Sequence, residues 1–400
     1  MNIASLSGMN IASLSGMNTT SMSGMNYWLE NARVVLPDQT LEHGFVRIED
    51  GYIAEIQDAP EKTSNLPRVD LSQQTLIPGI VDIHGDMLER ELEPRPNTQF
   101  PIKVALAELD KRLCSNGITT AFAAVALADG PGLRSESRAE SLIHAIHQAK
   151  DELRSQILVH VRFEVSVPSG VPLLERLLQE NLVQMVSLMD HTPGQGQFRN
   201  LEYYVEYMTK WLGGNREAAQ RTAQAHLETP ISWEVARGIA GLAVDRQIPL
   251  ASHDDDTPEK VAVMQQLGTS IAEFPVTLGA AQAAAEAGMK VIMGAPNALR
   301  GGSHSGNLSA LEGIDAGVVH GLCADYHPAS LLHAALRIAE SGLPLHTAIR
   351  FVSFEPAKAA GLVRRGAIQT GFFADLTVLR GSRVAATWRE GKLIYADSQF

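Results

Sequence analysis

Two cysteines, Cys114 and Cys323, are all the chain has in 400 residues. They leave no disulfide framework to build, and a reducing cytoplasm is the expected setting. No apolar run reaches the roughly 18 residues that a membrane-spanning helix needs. The first residues have neither the basic start nor the continuous apolar stretch of a secretory signal. Basic side chains are also short: 33 Lys and Arg stand against 45 Asp and Glu, a formal net charge of −12. That balance argues against general binding to nucleic acid or to an anionic membrane. It leaves an anionic small molecule open as a substrate, because a bound metal and a few arginines can reverse the local sign.

What is present is an ordinary globular composition, 45% hydrophobic and 20% charged. The chain opens on a repeat: "MNIASLSG" at 1–8 and 9–16, then "MNTTSMSG" at 17–24. The repeat is too short for a solenoid, and residues 1–25 read as a flexible tail outside the fold. From Tyr27 short strands begin. "VRIEDGYIAEIQ" (46–57) is a hairpin signal, with Asp50-Gly51 suited to a tight turn of positive φ. The far end repeats the pattern in "ADLTVLRGSRVAATWREGKLIY" (374–395), with strands at 376–379, 384–389 and 392–395 and a Glu390-Gly391 turn. Residues 27–78 and 361–400 are therefore expected to form one small discontinuous β domain.

The middle alternates strand and helix. Eight candidate strands end near Ile83, Val125, Val165, Met189, Ser252, Phe274, Met293 and Ala324. Ile102, Leu106, Leu109 and Leu113 have helical spacing, and Gly117 is placed to cap that helix. A helix over 257–268 has Thr257 as N-cap and Pro258 at its first position, and another runs over 328–342. This is the pattern of an α/β protein, a (β/α)8 TIM barrel over 79–360, with extra helices expected between 192 and 247.

The C-terminal strand ends carry polar cargo. His84 and Asp86 follow the first strand, two residues apart and so on one face. The third gives His160, Arg162 and Glu164, and the fourth Asp190 and His191. The fifth ends in His253, Asp254, Asp255 and Asp256; the three aspartates cannot all point inward, and at least one is expected to cap the helix that follows. The sixth carries Glu273. The seventh runs into a glycine-rich loop with Asn297, Arg300, Ser303, His304, Ser305 and Asn307, and the eighth gives Asp325, Tyr326 and His327. One such histidine caps a loop more often than it binds a metal, but imidazole and carboxylate delivered together suit zinc, manganese or iron. His144, His147, His226, His333 and His346 lie in helical patterns and read as surface or packing residues.

The stretches "HGDMLERELEPRP" (84–96), "VSLMDHTPGQGQF" (186–198), "LASHDDDTPE" (250–259), "IAEFPVT" (271–277), "MGAPNALRGGSHSGN" (293–307) and "ADYHPASLL" (324–332), closed by "GFFADLTVL", resemble the amidohydrolase superfamily. The nearer resemblance is to its phosphonate-metabolism branch, over roughly residues 27–400. The branch often has Thr where this chain has Gly85, and a second aromatic where it has His327. The resemblance implies a metal-dependent diphosphatase of phosphonate catabolism. Its substrate would be a ribosyl 5-triphosphate of the ribose 1-methylphosphonate type, with pyrophosphate released. It implies one or two divalent ions, zinc first, held by His84, Asp86, Glu164, His191, His253 and Asp325, with Glu273 as a rival ligand. Asp325 would be the acid/base. Arg90, Arg95, Arg162 and Arg300 would hold phosphate, with Asn297, Ser303, His304 and Tyr326 beside them. A homodimer is also implied. Two other readings compete: an amidohydrolase acting on a cyclic amide or aminopurine, and a barrel kept only to bind a partner.

Overall fold

The structure is a computed structural model describing residues 26–59, 65–95, 98–127, 135–198, 200–211, 213–228, 233–303, 306–398 and 400. The repeat tail, 1–25, and His304 with Ser305 lie outside the described residues. The chain divides into two compact units. One comprises the residues up to Phe122, Ala149–Ile157 and Gly321–Phe400; the other comprises Ala123–Gln148 and Leu158–His320.

The terminal segments build a mixed sheet in the first unit. Its strands are β1 (Tyr27–Val35), β2 (Thr40–Glu49), β3 (Tyr52–Gln57), β4 (Arg68–Asp70) and β5 (Thr75–Pro78), followed far along the chain by β14 (Leu376–Arg380), β15 (Arg383–Arg389) and β16 (Lys392–Ala396). The order is β16-β15-β14-β5-β1-β2-β3, with β4 beside β1. Antiparallel pairing of β5 with β14, Ile77 opposite Thr377, joins the two ends of the chain. Tyr27, Leu29, Ile48, Ile53, Leu76, Leu376, Val378 and Trp388 fill its core, each essentially without solvent contact.

Both expected hairpin turns form. Asp50 and Gly51 have φ of 50° and 84°, Glu390 and Gly391 49° and 72°. The two turns meet backbone to backbone: a Cβ on Gly51 would stand 2.9 Å from the Glu390 carbonyl oxygen, and one on Gly391 3.1 Å from Gly51 Cα. Glycine is required there for close approach as well as for positive φ. The Tyr27 hydroxyl donates to the Gly391 carbonyl at 2.9 Å and ties the pair to β1.

The remaining eight strands are β6 (Ile80–Gly85), β7 (Ile118–Leu127), β8 (Gln156–Glu164), β9 (Met185–Met189), β10 (Leu250–His253), β11 (Ile271–Glu273), β12 (Lys290–Gly294) and β13 (Gly321–Cys323). They are hydrogen-bonded in chain order, a nearly closed parallel barrel. A parallel bridge between Gly85 and Asp325 links the first strand to the last. The predicted helices are present as Ile102–Ser115, Pro258–Gln266 and Ser330–Glu340. Between β9 and β10 the described residues form three α-helices, Leu201–Trp211, Arg216–Glu228 and Trp233–Asp245. The helix after β10 is capped by Thr257, whose hydroxyl oxygen accepts from Lys260 N at 3.2 Å. No aspartate caps it, because the three are committed elsewhere, as described below.

Candidate metal centre

In the first unit the end of β6 is a carboxylate–imidazole cluster. His84 is 1% exposed, and its Nε2 lies 3.7 Å from Asp86 Oδ1. The expected shared face is therefore real, and it reaches back to Asp82, two residues earlier. That buried carboxylate accepts from His84 N at 3.3 Å and from Ala324 N at 2.8 Å. Gly85 has a local reason: a Cβ there would stand 2.6 Å from Met87 Cε and 2.8 Å from Asp82 Oδ2. Asp325 is fastened by its backbone. Its N–H donates to the His84 carbonyl at 2.9 Å, and its carbonyl accepts from Asp86 N at 2.7 Å. Its φ is +53°, left-handed. The Arg90 guanidinium lies over the Tyr326 ring, 4.9 Å from the centroid.

The second unit holds the denser group. Alternation along β8 sends His160, Arg162 and Glu164 to one face, and each meets a partner from a following strand. His160 Nε2 is 3.0 Å from Ser187 Oγ and 3.8 Å from Glu273 Oε2, all buried. Arg162 Nη2 is 3.3 Å from His253 Nε2. Glu164 Oε2 is 2.8 Å from His191 Nδ1, and its other oxygen accepts from His191 N at 3.2 Å. A carboxylate on Nδ1 orients an imidazole and leaves Nε2 for another partner. The Phe198 ring meets that of His191 edge-on, centroids 6.1 Å apart.

His253 Nδ1 stands 2.9 Å from Asp254 Oδ2. His191, His253 and Asp254 each offer a ligand atom, all within 4.8 Å of one another, a donor group able to hold a metal ion. Asp254 is not among the ligands that the sequence resemblance implies, and simple strand alternation would turn it away from His253. Its left-handed φ of 56° brings it back. Burial pushes the Asp254 carboxyl upward, but His253, His191 and Arg162 outweigh burial and hold it below the usual carboxylate range. Its neighbour Asp255 lacks that company. Burial drives its carboxyl up to about 6 despite a hydrogen bond from Ser252 Oγ. Asp256 Oδ2 accepts from Gly196 N at 3.1 Å.

Not every candidate joins a cluster. Arg95 and Arg300 are exposed, Ser303 is half-buried, and none of the three belongs to either group. The Asn297 amide is occupied by backbone: it donates to the Leu308 carbonyl at 2.9 Å and accepts from Ala310 N at 2.9 Å, holding the two ends of the glycine-rich loop. Of the helical histidines, His226 takes the Tyr204 hydroxyl at 2.9 Å on Nδ1.

The parallel barrel, with buried imidazoles and carboxylates at its strand ends, is a fold that recurs among solved proteins. Comparison with solved structures gives that fold: an amidohydrolase superimposes with a TM-score of 0.65 at 17% identity, covering 94% of this chain and 100% of that one. A Xaa-Pro dipeptidase gives 0.66 at 14% identity over 93% and 100%. The N-acetyl-D-glucosamine-6-phosphate deacetylase of Mycobacterium smegmatis gives 0.62 at 16% over 93% and 100%. No protein-family model matches the chain. Among curated proteins, the alpha-D-ribose 1-methylphosphonate 5-triphosphate diphosphatase of Escherichia coli (strain K12) is 38% identical over 381 residues, 92% of this chain and the whole of that protein. The chain belongs to the family of that diphosphatase. Among the described residues no helix is long and apolar enough to cross a membrane.

Proposed function

We propose that this chain hydrolyses ribose 1-methylphosphonate 5-triphosphate, or a ribosyl 5-triphosphate of that type, to the 5-phosphate and pyrophosphate in phosphonate catabolism. One observation carries the reading: the 38% identity runs over the whole length of the diphosphatase relative. Residues 79–360 act as the metal-dependent barrel, and 27–78 with 361–400 as the small β domain.

The donors fit a divalent ion. His191, His253 and Asp254 are buried or half-buried, mix imidazole with carboxylate and lie within ligand spacing of one another. His84, Asp86, Glu164, His191, His253 and Asp325 are the ligand set, zinc the preferred ion, and Asp254 joins them. With Glu164 on Nδ1, His191 Nε2 is the nitrogen that would hold an ion. When bound, such an ion supplies Lewis acidity toward phosphoryl oxygen and lowers the pKa of water.

The chain's own residues do the rest. Asp325 accepts the proton of the attacking water. The water oxygen bonds to the phosphorus nearest the sugar, the bridging oxygen leaves with pyrophosphate, and Asp325 relays the proton onward. Arg90, Arg95, Arg162 and Arg300 hold the polyphosphate, since a guanidinium pairs two-pronged with phosphate oxygens. Ser303, His304 and Tyr326 are the further substrate contacts, and Asn297 shapes the glycine-rich loop through its bonds to Leu308 and Ala310. Packing of Arg90 against Tyr326 supports a preset guanidinium. Phosphorus NMR of purified protein with defined zinc, manganese or iron is the test. Pyrophosphate and a ribosyl 5-phosphate are the expected products. No pyrophosphate with any of the three, together with turnover of a cyclic amide or aminopurine, overturns the proposal.

A further inference from the structure

His191 and His253 sit on different strand ends, and a metal needs their separation held to a fraction of an ångström. A buried ion pair bridges the two segments. Asp190, beside His191, is 5% exposed. Its Oδ2 accepts from Lys260 Nζ at 2.7 Å and from Gln195 Nε2 at 2.6 Å, and its Oδ1 accepts from Thr192 N at 3.2 Å. Lys260 stands in the first turn of the helix Pro258–Gln266, which leaves the β10 end carrying His253 and Asp254. Its side chain is 14% exposed, and its ammonium lies 6.0 Å from the Trp233 ring centroid. A second clamp runs in parallel, where Gly196 N donates to Asp256 Oδ2. The loop after β9 is thus tied to the segment after β10 at two points, and the two imidazole ring centroids stand 5.9 Å apart.

We infer that Asp190 and Lys260 are a positioning pair that sets the His191–His253 spacing and thereby the affinity for the divalent ion. Neither touches the ion, and each acts through the segment it holds. The inference rests on the metal reading above. Lysine suits the task, because its ammonium reaches Asp190 Oδ2 as a compact point charge and shares that oxygen with the Gln195 amide. Simple fold stabilisation is the competing role for such a pair, and metal affinity separates the two.

The experiment measures zinc affinity of the full chain by competition with a chromophoric chelator, with thermal unfolding of the metal-free protein alongside. The variants are Asp190→Asn, Lys260→Met, both together, and Lys260→Arg. Each of the first two is expected to bind zinc about 10- to 100-fold more weakly, the range for residues that orient ligands. The double variant should be no worse than the weaker single. Lys260→Arg, which keeps the charge, should recover most of the affinity. Variants that melt early yet bind zinc like wild type overturn the inference and leave the metal reading standing. A wild-type chain that binds no zinc, manganese or iron overturns both.

Discussion

Asp325→Asn separates chemistry from architecture at the end of β13. Asp325 has φ +53° and is held through its backbone, N–H to the His84 carbonyl and carbonyl to Asp86 N. Asparagine tolerates the left-handed region as well as aspartate does, so those bonds and that conformation survive the change. What is lost is a carboxylate able to take a proton. Removing a positioned general base costs about 10²- to 10⁴-fold in turnover, or about 2.7–5.4 kcal/mol of barrier at 1.36 kcal/mol per decade. Stability should stay within about 1 kcal/mol of wild type, as for substitutions that keep conformation and backbone bonding. Asp325→Ala supplies the contrast: it loses the same chemistry and adds about 1–2 kcal/mol of left-handed strain. Phosphorus NMR of pyrophosphate release gives the turnover, and denaturant unfolding the stability. Wild-type turnover in Asp325→Asn would refute the assignment of the base. A collapse in stability in that variant would refute the reading that its backbone bonds to His84 and Asp86 hold this turn.

Gly51→Ala is expected to destabilise the terminal sheet by at least the roughly 1–2 kcal/mol of a left-handed alanine, since its Cβ also meets the Glu390 carbonyl at 2.9 Å; urea unfolding measures it, and an unchanged midpoint would refute the close approach. Cys114 and Cys323 are free and buried, and burial pushes the Cys114 thiol up to about 11. A thiol reagent at pH 8 should label neither in the native protein and both in denaturant. Lys260 holds Asp190 below the usual carboxylate range against the opposing effect of burial. A depressed carboxyl stabilises the fold above its unfolded pKa and loses that contribution as pH falls through the folded one. The stability gap between wild type and Asp190→Asn should therefore be full near neutrality and close in acid, and a gap that widens in acid would contradict the pairing.

Strands were legible wherever an apolar run ended in a polar or turn residue, and all eight barrel strands fall where those endings lie. The hairpin turns were legible because Gly51 and Gly391 accept, at no steric cost, the positive φ that a tight hairpin turn demands. Long-range pairing was not legible. Nothing local in Thr75–Pro78 says that it will lie beside Leu376–Arg380, and it does so because both need a partner on one edge. At the site, alternation placed His84 with Asp86 and His160 with Arg162 and Glu164, but it could not assign Asp82, which continues the same period inward. It also could not divide labour among Asp254, Asp255 and Asp256. Their fates depend on one backbone angle and on Ser252, Gly196 and His253.

That backbone angle belongs to a pattern. Asp254, Phe274 and Asp325, each at the end of a barrel strand, have φ of 56°, 53° and 53°. Every one still donates its N–H to the neighbouring strand, to the carbonyls of Glu273, Ile292 and His84 respectively, at 2.9 Å. The ladder thus reaches its last rung before the chain turns, so the turning residue starts from a position fixed by the sheet. Aspartate pays little for this conformation, but for a bulky aromatic it is an outlier that the surroundings must impose. Around Phe274 they do so with the ladder bond and the His253 ring, centroids 5.2 Å apart. Such strain persists only where neighbouring structure over-determines it, and it gathers at functional sites. Here it falls beside Asp254, His253 and Asp325, where a straight continuation would have sent the acidic side chains the other way. At two of the three positions, Asp254 and Asp325, the strained turn thus breaks the strict alternation of the strand for a carboxylate-bearing residue.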